Sequence, residues 1–240
     1  MNATHPQVRS DLITLPMLIS FSGMDGSGKS TSITDLITSL ECAGLHAKFV
    51  TFWDDVVVLP RFRAEVTKRV FRGESGTGEP GRPVHRRDKN LRPWYAVLGR
   101  TLLYLFDVLR LGRLVRKIRN DDADVIIFDR YIYDQLASLP LERPSLRAYA
   151  KFLLRLAPRP DICFLLDADP EAAYRRKPEY PVGFLEQYRR SYLILSNLLR
   201  GRMTIIPPLP LEQLRQRIAE GLKRGGIHLV SIPVSKIASA

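Results

Sequence analysis

Apolar residues in this chain fall into short unbroken runs, separated by longer stretches in which they recur every three or four positions. Met17 to Phe21 is a short apolar run bounded by turn chemistry, the form a buried parallel strand takes. Ile33, Leu36, Ile37 and Leu40 repeat at i, i+3, i+4 and i+7, which predicts one helix face, and Gly44 supplies its stop. Lys48 to Trp53 reads as a second strand, and Trp94 to Arg119 as a long helix. Val125 to Phe128 and Ile162 to Leu166 are uninterrupted apolar runs, each delivering an aspartate at its end, Asp129 and Asp167. Asp169 followed by Pro170 pairs an N-cap acceptor with proline at the first helical position. Two further helices, Phe184 to Leu199 and Leu211 to Leu222, flank a short strand at Met203 to Ile206. Strands alternating with helices predict crossover connections and a parallel sheet covered on both faces.

The regularity breaks at 72–93, where four glycines and three prolines are mixed with Arg82, Arg86, Arg87, Lys89 and Arg92. This reads as a basic surface loop inserted into a single domain spanning 1–240, a loop placed to close over a phosphorylated substrate. Residues 227–240 read as a tail or an extra strand. The 45% apolar content supports a sizeable core. Cys42 and Cys163 sit far apart with no metal-type spacing, which fits a reducing cytosol and excludes a disulfide framework or zinc site. No secretory layout precedes the first strand. A bilayer span over Trp94 to Leu114 would have to bury Arg100, Asp107, Arg110 and Arg113, so a core helix in a soluble, cytoplasmic protein is expected. The net charge of +12 suits polyanionic nucleotides as well as nucleic acid, but no zinc-finger, RNA-recognition or basic-zipper pattern accompanies it.

The chemistry starts where the first strand ends. Gly23-Met24-Asp25-Gly26-Ser27-Gly28-Lys29-Ser30 completes the pattern G-x-x-x-x-G-K-[ST], followed by Thr31. Glycines let successive N–H groups curl around phosphate oxygens, and the following helix adds its positive dipole end. The pattern assigns Lys29 to the β- and γ-phosphates of ATP and the Ser30 hydroxyl to Mg²⁺. Phosphoryl transfer also needs a carboxylate on the far side of the metal. Asp129, at the C-terminal edge of a buried strand, is placed to hold Mg²⁺ through water or to orient the acceptor. The guanidinium of Arg130 suits bidentate grip of an acceptor phosphate. Tyr174-Arg175-Arg176-Lys177-Pro178 closes a short helix within a lid over 170–183, and Arg175 or Arg176 is expected to stabilise the transferred group.

Together these residues resemble the thymidylate kinase family of P-loop nucleoside-monophosphate kinases. The resemblance rests on the glycine loop with Asp25 two residues after Gly23, on Asp129-Arg130-Tyr131, and on Leu165-Leu166-Asp167-Ala168-Asp169-Pro170-Glu171 at the strand-to-lid junction. It runs from Leu15 to Leu222 and implies a P-loop NTPase fold, a three-layer α/β/α sandwich with a mostly five-stranded parallel sheet and a short lid. It implies ATP-dependent phosphorylation of a nucleoside monophosphate, dTMP to dTDP, by a protein that commonly forms homodimers. By the same resemblance Asp25 approaches the sugar 3′-hydroxyl and Arg130, with Tyr131 beside it, grips the acceptor phosphate. Phe106 and Arg110 resemble the pair that packs against and hydrogen-bonds the base. Two departures lie near the acceptor: Trp53-Asp54-Asp55-Val56 replaces the family's Arg-Glu-Pro-Gly segment, and Asp134 follows Tyr133 where serine is usual. They keep two other readings open. One is a kinase of a nucleoside or other small-molecule hydroxyl, with Asp54 or Asp55 as base. The other is a nucleotide-dependent regulatory protein whose basic surface contacts nucleic acid.

Overall fold

A computed structural model describes residues 16–59 and 94–227. The basic insertion at 72–93 and residues 228–240 lie outside that range. The apolar runs form strands β1 (Met17–Gly23), β2 (Ala47–Thr51), β3 (Val125–Asp129), β4 (Ile162–Leu166) and β5 (Met203–Ile206). They pair in the order β2-β3-β1-β4-β5, and every pairing is parallel. Alternate side chains enter opposite cores. Leu18, Ile126, Phe128, Cys163 and Leu165 face one cluster, while Ile19, Phe21, Ile127, Phe164 and Leu166 face the other. Burial on both faces is why these strands read as continuous apolar runs rather than as alternation.

Helices α1 (Lys29–Cys42), α2 (Trp94–Ile118), α3 (Ile132–Ala137), α4 (Pro144–Leu156), α5 (Pro170–Arg176), α6 (Val182–Leu198) and α7 (Leu211–Arg224) cover the sheet. Ile33, Leu36 and Leu40 of α1 and Leu214, Ile218 and Leu222 of α7 fill one face, and the other helices pack over the second. The result is the expected three-layer α/β/α sandwich. Gly44 ends α1 with φ 78°, and Asp169 caps α5 by accepting from the Ala172 N–H at 2.8 Å.

The second strand is shorter than its apolar pattern. It stops at Thr51 because the Asp55 carboxylate takes the Thr51 N–H at 2.9 Å, and Phe52–Val56 coils into a single π-helical turn. Helices α3 and α4 lie between β3 and β4, where the sequence pattern shows only alternation. Among the described residues, no helix is long and apolar enough to cross a membrane.

Candidate active site

The crossover from β1 runs to β2, past the position later filled by β3, whereas β4 and β5 lie on the other side of β1. Ligands of open α/β sheets bind outside the strand C-termini at such a reversal. The glycine loop opens there, between β1 and α1. Gly23 takes φ 144°, and a Cβ on it would run into the Leu166 carbonyl of β4, so only glycine fits. The Lys29 ammonium is folded across the loop, donating to the carbonyls of Gly23 at 2.8 Å and Met24 at 2.7 Å. Burial, reinforced by the nearby charge of Arg130, pushes its pKa down to about 8. Ser30 and Thr31 stand exposed in the first turn of α1. The Ser27 hydroxyl is buried in the loop without a hydrogen-bond partner among the described residues.

The register of β1 with β3 sets Asp129 opposite Phe21, two residues before the loop. Burial raises the Asp129 carboxyl above its ordinary range, against the pull of Arg130 and Lys29. Its Oδ1 is buried and has no hydrogen-bond partner among the described residues. Such an oxygen beside a phosphate loop suits a divalent cation. Mg²⁺ takes few protein ligands and fills its octahedron with water and substrate phosphates, so Asp129 and Ser30 fit it.

Arg130 adopts a left-handed backbone, φ 69°, held by its N–H on the Phe21 carbonyl at 2.9 Å. Its side chain is 11% exposed. Nη2 pairs with Asp25 of the glycine loop, and Nη1 donates to Asp134 at 3.2 Å. Burial alone would lower the guanidinium pKa, but Asp25 and Asp134 outweigh it and raise the pKa well above its usual value. Tertiary structure thus brings together Lys29, Asp25, Asp129 and Arg130, which the sequence separates by up to 105 positions.

Asp134, noted from sequence only as a departure from the family's serine, joins the site. It is fully buried, and its carboxylate joins Arg130, Ser22 of β1 and Tyr192 of α6. The sequence signal was its place four residues after Arg130, one helical turn away. Tyr131, expected at the substrate, is instead a core residue. Its ring packs against Phe128 and Tyr133, and its hydroxyl donates to the Pro158 carbonyl at 2.8 Å. Extended backbone at Tyr131, φ −144°, turns the ring into the core beneath α3. Phe106 is 55% exposed on α2, and Arg110 donates to the Val57 carbonyl at 3.2 Å. The inward face of α2 between them carries Asp107, which accepts from the Val58 N–H at 2.7 Å and Gln135 at 2.8 Å. Asp54 is exposed, and Asp55 is held by its own turn.

The lid helix α5 lies against the glycine loop. A Cβ on Gly26 would sit 3.4 Å from the Ala173 carbonyl and 3.5 Å from Arg176 Cβ. Arg175 and Arg176 are both exposed; Arg176 has its Cβ on the loop side and donates from Nε to the Ala172 carbonyl at 3.2 Å, whereas Arg175 pairs with Glu171 at 3.8 Å. The lid root is fixed by a bidentate pair, with Arg189 of α6 donating to Asp167 at 2.6 and 2.9 Å. Beside the lid opens a cleft of about 270 Å³, walled by Ser27, Leu166, Arg176, Pro207, Pro208, Pro210 and Leu214. The prolines at the end of β5 were visible in sequence as a loop signal, but nothing local assigned them to a cleft.

The chain matches no protein-family profile. It is 25% identical over 218 residues to a probable thymidylate kinase of Methanosphaera stadtmanae, covering 86% of this chain and 100% of that protein. It is 26% identical over 195 residues to the uncharacterized ATP-binding protein YghR of Escherichia coli, covering 72% of this chain and 73% of YghR. The solved structure of thymidylate kinase from Candida albicans matches the fold with a TM-score of 0.61 at 18% identity, over 91% of this chain and 99% of that one. Over 86% of this chain in sequence and 91% in fold, the protein is similar to thymidylate kinases and shares their α/β scaffold.

Proposed function

We propose that the chain transfers the γ-phosphoryl group of ATP to a nucleoside monophosphate, with dTMP as the acceptor its relatives indicate. The observation that carries this reading is the meeting of the glycine loop with Arg130, a donor-phosphate cradle and an acceptor-phosphate ligand in one corner. Little covalent chemistry is required of the protein, which must align two phosphates and neutralise their repulsion. Lys29 exchanges the carbonyls of Gly23 and Met24 for the anionic β- and γ-phosphate oxygens. Arg130 orients the acceptor phosphate, whose oxygen is already anionic near neutral pH and needs no strong base. Asp25 is placed for the acceptor sugar. Arg176, whose Cβ lies on the glycine-loop side of the lid, is favoured over Arg175 for the transferred group. The proline-walled cleft receives the donor base. Ser30 and Asp129 would hold Mg²⁺, which when bound neutralises charge on the bridged phosphate oxygens.

The test is turnover of ATP with Mg²⁺ and a panel of dTMP, dUMP, other common monophosphates and thymidine, beside a Lys29→Ala control. Lys29-dependent formation of dTDP supports the reading. Product from thymidine alone would instead favour the hydroxyl-acceptor reading. The geometry gives that reading less support, because Asp55 is engaged with Thr51. Phe106→Ala and Arg110→Ala raise the dTMP KM if the base lies on α2, and leave it unchanged if these residues serve only the helix surface.

A further inference from the structure

We infer that Asp134 is the positioning residue of the acceptor corner, a buried carboxylate that aims the Arg130 guanidinium and ties it to the root of the glycine loop. The inference rests on the reading of Arg130 as acceptor-phosphate ligand. Asp134 Oδ2 accepts from Ser22 Oγ at 2.7 Å and from the Tyr131 N–H at 3.0 Å. Oδ1 accepts from the Tyr192 hydroxyl at 2.8 Å and from Arg130 Nη1 at 3.2 Å, with the Gly23 N–H longer at 3.5 Å. Every partner donates, and three of them, the two backbone N–H groups and the guanidinium, have no lone pair to offer in return. An asparagine would therefore set its NH₂ against a donor whichever way it turned. A serine would bring one oxygen and no charge. The site calls for a carboxylate.

The consequence for Arg130 is directional. Its backbone is pinned to Phe21, and Nη1 is held by a side chain that is itself held at several points and fully buried. The remaining guanidinium edge is therefore turned towards the glycine loop, where Nη2 meets Asp25. Helix α6 braces this arrangement from behind. The Tyr188 hydroxyl donates to the Asp134 carbonyl at 2.9 Å, Tyr192 holds the carboxylate, and Arg189 between them holds Asp167 at the lid root. A single stretch of helix thus supports both the acceptor corner and the base of the lid.

Asp134→Asn is expected to raise the acceptor KM about tenfold, the worth of one charge-assisted hydrogen bond, while leaving the ATP KM near wild type. Tyr192→Phe removes one donor from the carboxylate and should shift the acceptor KM in the same direction by less. A residue that merely supports the fold would move both KM values together or lower thermal stability alone, and either result overturns the inference. Failure of the wild type to turn over any monophosphate would sink the proposed function instead. Arg130 reactivity then decides the positioning role by itself. Its modification by phenylglyoxal, mapped by peptide mass with Arg189 as internal reference, should be about tenfold faster in Asp134→Asn. Equal rates would overturn the claim. If Asp134→Asn does not fold, Tyr192→Phe carries the same two readouts.

Discussion

Gly221→Ala and Gly112→Ala replace glycine by alanine inside helices, yet the structure predicts opposite outcomes. A Cβ on Gly221 of α7 would lie 2.5 and 2.7 Å from Cε1 and Cζ of Phe164 in β4. Carbon atoms pack best at about 3.5–4.0 Å, so ring or helix must give by about 1 Å. Phe164 has little freedom to yield, being fully buried with its ring 5.2 Å from that of Phe21. Such overpacking costs about 1–3 kcal/mol, against about 1 kcal/mol returned by alanine's helix propensity. The net loss is up to about 2 kcal/mol, or up to roughly 8 °C in Tm for a chain of this size. Among the described residues, nothing lies within 4 Å of a Cβ added at Gly112 of α2. There only propensity acts, and the variant should gain about 0.5–1 kcal/mol. Urea unfolding followed by far-UV circular dichroism measures both. Equal stabilisation of the two variants would refute the close seating of α7 on β4, and with it the placement of Leu214 at the cleft. Weaker ATP binding by Gly221→Ala should accompany its instability, because the same helix walls that cleft.

Lys29→Ala should lower kcat/KM by about two to three orders of magnitude while the protein stays folded, because it removes a preorganised charge from the phosphates. Steady-state kinetics beside circular dichroism checks this. Arg176→Ala should reduce kcat far more than Arg175→Ala, since Arg176 has its Cβ on the glycine-loop side, and equal losses would contradict that placement. Burial holds the hydroxyls of Tyr131, Tyr133, Tyr188 and Tyr192 protonated well above their ordinary range. In the unfolded chain they ionise near pH ~10, so above that pH the folded state binds more protons. Their contribution to stability is therefore full below that pH and is lost as pH rises beyond it. Alkaline titration should show the tyrosinate absorbance of these rings only as circular dichroism is lost, and ionisation in the folded protein would refute their burial.

What the sequence determined by itself was local. The glycine loop, the strand before it and the helix after it, the α5 cap at Asp169 and the helix stop at Gly44 each depend on residues a few positions apart. Steric limits and backbone hydrogen bonding act over that range, so the order of elements, and from it the layered parallel fold, could be read directly. The same locality let Asp129 and Arg130 be recognised at the end of an apolar run. What only the tertiary structure decided was which side chains share an environment. Tyr131 stands beside Arg130 in the chain, yet the left-handed backbone at Arg130 and the extended backbone at Tyr131 send the two side chains apart, one to the site and one to the core. Asp55 shortens β2 through a side-chain hydrogen bond that hydrophobic pattern does not register. Asp134 meets Ser22 across 112 positions and Tyr192 across 58, and Arg130 meets Asp25 across 105. Those pairings follow from strand order and helix packing, which depend on how whole faces of the molecule bury together, so no window of the sequence contains them.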